Sequence, residues 1–183
     1  YYGNPSASSA SDGDATFEFF DDDFISWGNN PLENAATYQT TPTYDGSNEA
    51  VHPDIVYFSN AWNGYKYWML FTPYPSAACE NPSILASNDG SSWEVPSDLT
   101  NPIDPAPASG HNADTDMIYN DATGELWAYY IETGAGTTYL KRRTSSDGVT
   151  WSAEEDIFNL PDYQIVSPSI VKVDSTYYMW YVD

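Results

Sequence analysis

The sequence predicts an all-β protein built from repeated antiparallel units. Three observations carry that prediction. Glycine-containing turns, Asn63-Gly64 and Asp121–Gly124, sit between runs rich in aromatic and β-branched residues, which is the pattern of β-hairpins. The frame Ser-x-Asp-Gly-x-x-Trp occurs twice, at Ser87–Trp93 and Ser145–Trp151, 58 residues apart. Helix caps and helical periodicity are nearly absent, while aromatic residues make up 16% of the 183 residues.

Taken in order, residues 1–16 are mostly Ser, Ala, Gly and Asp and read as a flexible lead-in. Residues 17–50 read as an extended approach, with a short strand at Phe17–Phe20 followed by the carboxylate run Asp21–Asp23. Residues 51–183 hold the repeats. The first unit is expected to place strands at Val51–Phe58, Tyr65–Thr72 and Ser83–Ser87. The second places them at Asp116–Tyr119, Leu126–Ile131 and Thr138–Thr144, and a third begins with Pro168–Val173 and Tyr177–Val182. A unit of this length with three or four antiparallel strands matches a β-propeller blade better than a sandwich, because each unit needs its neighbours to cover its faces. The expected fold is thus a β-propeller, of which this chain supplies about two and a half blades.

Charge narrows the function. The chain has 27 acidic and 5 basic residues, a net charge of −22. Such a surface repels nucleic acid, since no basic stripe is present to neutralise phosphates. It suits molar salt, where the Debye length falls to about 3 Å, and so points to a halophilic setting, with an ordinary acidic secreted protein or a cation-binding acidic patch as the alternative. The cluster Lys141-Arg142-Arg143 reads as a solvated strand edge. No run of apolar residues is long enough for a membrane-spanning helix. Cys79 is the single cysteine and lies beside Glu80 in a loop of small residues, which excludes an internal disulfide and argues against a catalytic thiol. The Asp-Gly-x-x-Trp frame itself has a structural job: Asp caps the turn, Gly takes the left-handed conformation, and Trp plugs between strands.

The segments Ser87–Trp93, Ser145–Trp151 and Pro168–Tyr181 resemble the five-bladed β-propeller glycosidases of the arabinanase, xylosidase and fructosidase type. The segments His52–Phe58, Trp62–Met69, Thr72–Pro75 and Glu80–Ile84 are similar to propeller-like domains of phage tail-associated and secreted bacterial proteins. The glycosidase resemblance implies one acidic residue at the start of the innermost strand in each of three blades, converging on a funnel. Here those positions hold His52 before Pro53, Asp114, and Val166-Ser167 before Pro168, so one of three carboxylates is kept. Glycoside hydrolysis needs two carboxylates about 5–9.5 Å apart. The resemblance therefore implies a catalytically degenerate propeller. Asp54 and Asp116 sit at equivalent repeat positions and read as strand-edge hydrogen-bond acceptors.

The expected function is a glycan- or cell-surface-binding domain on a virion, as in a tail fibre or spike, or on a secreted surface protein. Two alternatives stand beside it: a glycoside hydrolase acting on extracellular polysaccharide, and a structural spacer in a surface filament. Candidate catalytic residues are Asp114, Glu80 and His52. Candidate ligand-binding residues are His52, Asp114, His111, Trp62, Tyr65 and Trp127, with Trp68 and Tyr74 as further aromatics that stack on sugars. No cofactor is expected, and no metal site is assigned. A divalent cation such as calcium is an option, and a His52–His111–Asp114 metal site is imaginable because imidazole and carboxylate suit divalent cations. The expected partner is a carbohydrate or host-cell glycan, with no nucleic acid and no membrane insertion, and with homo-oligomeric or virion assembly as an option. The expected location is extracellular or on a virion surface.

Overall fold

The computed structural model describes residues 3–4, 16–17, 39–161 and 164–182. Two units are distinguished, 1–38 and 39–183. In the first, β1 (Gly3–Asn4) pairs antiparallel with β2 (Thr16–Phe17). The rest of the expected lead-in, the remainder of the expected strand at Glu18–Phe20 and the Asp21–Asp23 run lie outside the described residues.

The second unit is a succession of three antiparallel sheets. The first has the order β3 (Ala50–Trp62), β4 (Tyr65–Pro73), β5 (Ser83–Ser87). The second has four strands: β6 (His111–Asn120), β7 (Glu125–Gly134), β8 (Thr137–Ser145) and β9 (Glu155–Pro161). The third is the hairpin of β10 (Val166–Val173) and β11 (Thr176–Val182). Helix is confined to one short 3-10 turn at Ala77–Cys79 among the described residues. Among the described residues no helix is long and apolar enough to cross a membrane. The all-β prediction is what the structure shows. A five-bladed ring is not: the described sheets form no closed ring. Hairpin signals fix strand order locally, whereas closure depends on the number of sheets, which no local signal carries.

The hairpins turn where the sequence supplies left-handed residues. Asn63 and Gly64, at φ 47° and 92°, join β3 to β4, and Ala135 and Gly136, at 53° and 83°, join β7 to β8. Both Asp-Gly-x-x-Trp segments form the same capped turn. Asp89 Oδ1 accepts from the N–H groups of Ser91 and Ser92 at 2.8 and 2.7 Å, and Asp147 Oδ1 accepts from Val149 and Thr150 at the same two distances. Ser87 and Ser145 hydroxyls accept from the Gly90 and Gly148 amides at 2.9 and 2.8 Å. Gly148 also packs against the first sheet: a Cβ there would lie 2.2 Å from the Trp68 ring.

The core lies along the centres of these sheets. Trp68, Leu70, Ile84 and Leu126 are fully buried in one cluster, and Tyr129, Ile131, Leu140, Ile165 and Ile170 form another between the second and third sheets. The basic triplet differs from its expected solvated role. Lys141 is buried, 2.7 Å from Asp156 and 3.3 Å from Glu132. Arg143 reaches the buried Asp104 at 2.8 Å, and Arg142 pairs with Glu155 and lies over the Trp127 ring at 4.1 Å. These few cations are placed where each offsets nearby carboxylates, which a triplet in isolation does not reveal.

Candidate functional site

The leading strand of each sheet carries the same irregularity. Register shifts fall between Val51 and Asp54, between Ala113 and Asp116, and between Val166 and Ser169. At each shift one non-glycine residue is left-handed: His52 at φ 50°, Asp114 at 45° and Ser167 at 49°. A bulge re-aims a side chain out of the pleat, and an L-residue at positive φ costs about 1–2 kcal/mol. These three outliers fall at equivalent positions, at one end of the sheets.

Hydrogen bonds between sheets bring these ends together. Thr115 donates through its hydroxyl to the His52 carbonyl at 2.7 Å. Asp54 Oδ2 accepts from the Met117 amide at 2.7 Å, and its counterpart Asp116 Oδ2 accepts from the Ile170 amide at 2.9 Å. Asp54 and Asp116 thus act as acceptors between neighbouring sheets. Burial raises both carboxyls, Asp116 up to about 7 with the help of the nearby Asp54 charge.

With the sheets so joined, His52, Glu80 and Asp114 each present a donor atom within 4.8 Å of the other two. His52 Nε2 lies 3.1 Å from Asp114 Oδ1, and His52 Nδ1 lies 4.0 Å from a Glu80 oxygen. The imidazole is partly open at 37% side-chain exposure, while the Glu80 and Asp114 side chains are at 9% and 13%. Burial, reinforced by the Asp114 charge, pushes the Glu80 carboxyl up to about 7. Glu80 follows the 3-10 turn, and its neighbour Asn81 ties that turn down: Asn81 donates to Tyr44 Oη at 2.7 Å and accepts from Asn112 at 3.0 Å. The second side of the cluster is equally built. Thr72 Oγ1 stands 3.4 Å from His52 Nδ1, and the Ser167 amide donates to Asp114 Oδ2 at 2.7 Å.

The three candidate catalytic residues read from the sequence are therefore the three that the structure brings together. Glu80 enters from a loop that no sequence pattern places there. The other candidates lie elsewhere. The His111 ring sits beside Thr133 Oγ1, 3.2 Å from Nδ1, and is not one of the three clustered donors. Trp62 and Tyr65 pair across the hairpin end of β3 and β4, at the opposite end of the strand from His52, and both pack edge-on against Trp68. Trp68 itself is fully buried. Trp127 stacks on Tyr177 at 5.4 Å between the second and third sheets, and Tyr74 is exposed just beyond β4. Sequence reading did not single out Thr72 or Asn81. Ser167 was legible only as a missing carboxylate.

Comparison with known proteins sharpens the chemistry. The chain is 41% identical over 133 residues to an A type blood N-acetyl-α-D-galactosamine deacetylase of Flavonifractor plautii. The match covers 66% of this chain and 17% of that protein. It also resembles the crystal structure of an N-acetylgalactosamine deacetylase from F. plautii in complex with blood group B trisaccharide, with TM-score 0.70 and 32% identity over 75% of this chain and 46% of the other. The chain thus spans less than half of the solved chain and under a fifth of the curated relative. Residues 1–30 match a domain of unknown function, DUF2341.

These findings correct two expectations. The resemblance to arabinanase-type propeller glycosidases and phage tail domains gives way to a deacetylase relative. The expected degenerate glycan binder on a halophilic virion is overturned as well, because the similar proteins are enzymes acting on glycans, and the enzyme alternative is the better supported. The misreading has a physical cause. Net charge reports on solvent and association, not on reaction, and a missing glycosidase acid excludes only chemistry that needs that acid.

Proposed function

We propose that this chain carries the cation-binding centre of a carbohydrate N-deacetylase, with His52, Glu80 and Asp114 as the protein ligands. The observation that carries the reading is the convergence of one imidazole and two carboxylates, from three separate segments, within 4.8 Å. The donor set fits a divalent first-row cation. Bonds of about 2.0–2.2 Å to each donor hold neighbouring donor atoms roughly 3–4 Å apart; His52 Nε2 and Asp114 Oδ1 stand at 3.1 Å, and one donor atom from each of the three residues lies within 4.8 Å of the others. Three protein ligands leave positions open for water and substrate, as catalytic sites require. A divalent cation there would polarise an amide carbonyl and make water a nucleophile at neutral pH.

The protein's own groups fit amide hydrolysis in the following way. The Ser167 amide fixes one Asp114 oxygen, leaving the other to face His52. Thr72 restrains the His52 ring from its other nitrogen. Such outer partners set tautomer and orientation, and their loss commonly costs about 10–100-fold in metal affinity or activity. The open edge of His52 lets an acetamido group approach, while the two carboxylate side chains are largely buried. The products would be an amino sugar and acetate. N-acetylated amino sugars are the proposed substrate class, supported by the N-acetylgalactosamine deacetylase relative and by the trisaccharide in the similar structure.

The test is acetate release from an N-acetylgalactosamine-terminated oligosaccharide by the full chain. Activity should disappear in His52→Ala and Asp114→Ala variants that retain the wild-type circular dichroism spectrum. Full activity in both would remove the assignment.

A further inference from the structure

Ser167 stands in the third of the three strained bulge positions, and the other two are His52 and Asp114. All three lie at φ between 45° and 50°. The positions are linked in a row: His52 to Asp114 through 3.1 Å, and Asp114 to the Ser167 amide through 2.7 Å. The backbone N–H explains why the chain passes close to Asp114, but any residue other than proline provides an N–H. It does not explain a serine side chain held left-handed, where glycine would cost nothing. Ser167 is exposed, Pro168 behind it is buried, and its hydroxyl finds no hydrogen-bond partner among the described residues.

From this juxtaposition we propose that Ser167 is a substrate-contacting residue of the same centre, its hydroxyl hydrogen-bonding a polar group of the N-acetylated sugar bound at His52 and Asp114. The proposal rests on the deacetylase reading for its ligand class. The chemistry is matched: a hydroxyl is both donor and acceptor and can pair with a sugar hydroxyl or an acetamido group. Its equivalence to two cluster residues brings it to the same end of the sheets. Unpaired among the described residues, the exposed hydroxyl gives up no hydrogen bond to them when it takes up the ligand.

Ser167→Gly isolates the side chain, because glycine keeps the amide to Asp114 and accepts the positive φ. Binding of methyl N-acetyl-α-D-galactosaminide to the full chain, saturated with Mn²⁺ or Zn²⁺, is measured by calorimetry alongside cation affinity, melting temperature and acetate release. Sugar affinity should fall about five-fold, the value of one neutral hydrogen bond. Cation affinity should be unchanged, and the melting temperature unchanged or higher. A merely structural serine would leave sugar affinity untouched, and that result overturns the proposal. Loss of sugar affinity in the variant while the wild type releases no acetate would sink the deacetylase reading and leave the Ser167 contact standing. A wild type that binds no N-acetylgalactosaminide at all would overturn both.

Discussion

His52 and Asp114 occupy the same bulge in successive sheets, and their side chains meet at 3.1 Å between Nε2 and Oδ1. A repeat has been used to place two different chemistries side by side. Each bulge turns its residue out of the pleat, and the Thr115 to His52 hydrogen bond sets the spacing of the two strands.

If that pair is part of a cation centre, its dependence on charge is strong. Asp114→Asn keeps size and hydrogen-bonding shape but removes the anionic oxygen. It should lower divalent-cation affinity by at least about 100-fold, above the range known for outer partners, with little change in melting temperature of the metal-free protein. Competition with a chromogenic chelator measures the first, and a thermal scan the second.

Glu80 predicts a pH dependence for cation uptake. In the metal-free protein its carboxyl is pushed up to about 7 by burial and by Asp114. A proton therefore competes with the cation in the neutral range, and affinity should rise as pH increases through about 7, with proton release on binding. Glu80→Gln should flatten that profile and weaken binding. Calorimetry in buffers of different ionisation enthalpy counts the protons released.

Asp116 predicts how stability varies with pH. Its folded-state carboxyl is raised to about 7, by burial first and Asp54 second. Between the ordinary carboxylate range and about 7 the folded protein holds a proton that the unfolded chain has lost. This contribution to stability is therefore full at low pH and declines as pH rises towards 7, then levels off. Asp116→Asn, which still accepts from Ile170, should shrink the decline to the part that Glu80, also raised to about 7, contributes. Melting temperatures of the metal-free protein from pH 5 to pH 8 provide the comparison.

Gly148 predicts a packing defect. A methyl group there meets the Trp68 ring at 2.2 Å, and the residue sits at φ 79°. Gly148→Ala should destabilise the folded state by about 1–3 kcal/mol through overpacking, read as a lower denaturant midpoint. Gly136→Ala, at similar φ but facing open space, separates the backbone cost from the packing cost.

Most strands were legible because hairpin chemistry is local. Asn63-Gly64, Asp121–Gly124 and the two Asp-Gly-x-x-Trp frames each mark a turn that the structure forms. β9 was not legible: Glu155–Pro161 carries charge at one end and proline at the other, and its pairing with β8 is set by tertiary contact. In the site, His52 and Asp114 were visible as a departure from a glycosidase pattern, but their meaning was not. Glu80 joins them through a turn held by Tyr44, Asn81 and Asn112, residues distant in sequence whose hydrogen bonds no periodicity encodes. The wrong expectation, a degenerate binder, came from counting missing carboxylates for one reaction instead of asking which reaction the remaining donors suit.

Whether His52, Glu80 and Asp114 together hold a divalent cation is tested most directly by calorimetric titration of Mn²⁺ or Zn²⁺ into the chelator-stripped full chain. One saturable site per chain is expected, abolished in His52→Ala and in Asp114→Asn. Binding that persists unchanged in both variants, or acetate release that survives complete removal of metal, would contradict the cation centre and leave the His52–Asp114 pair to act as a metal-free dyad.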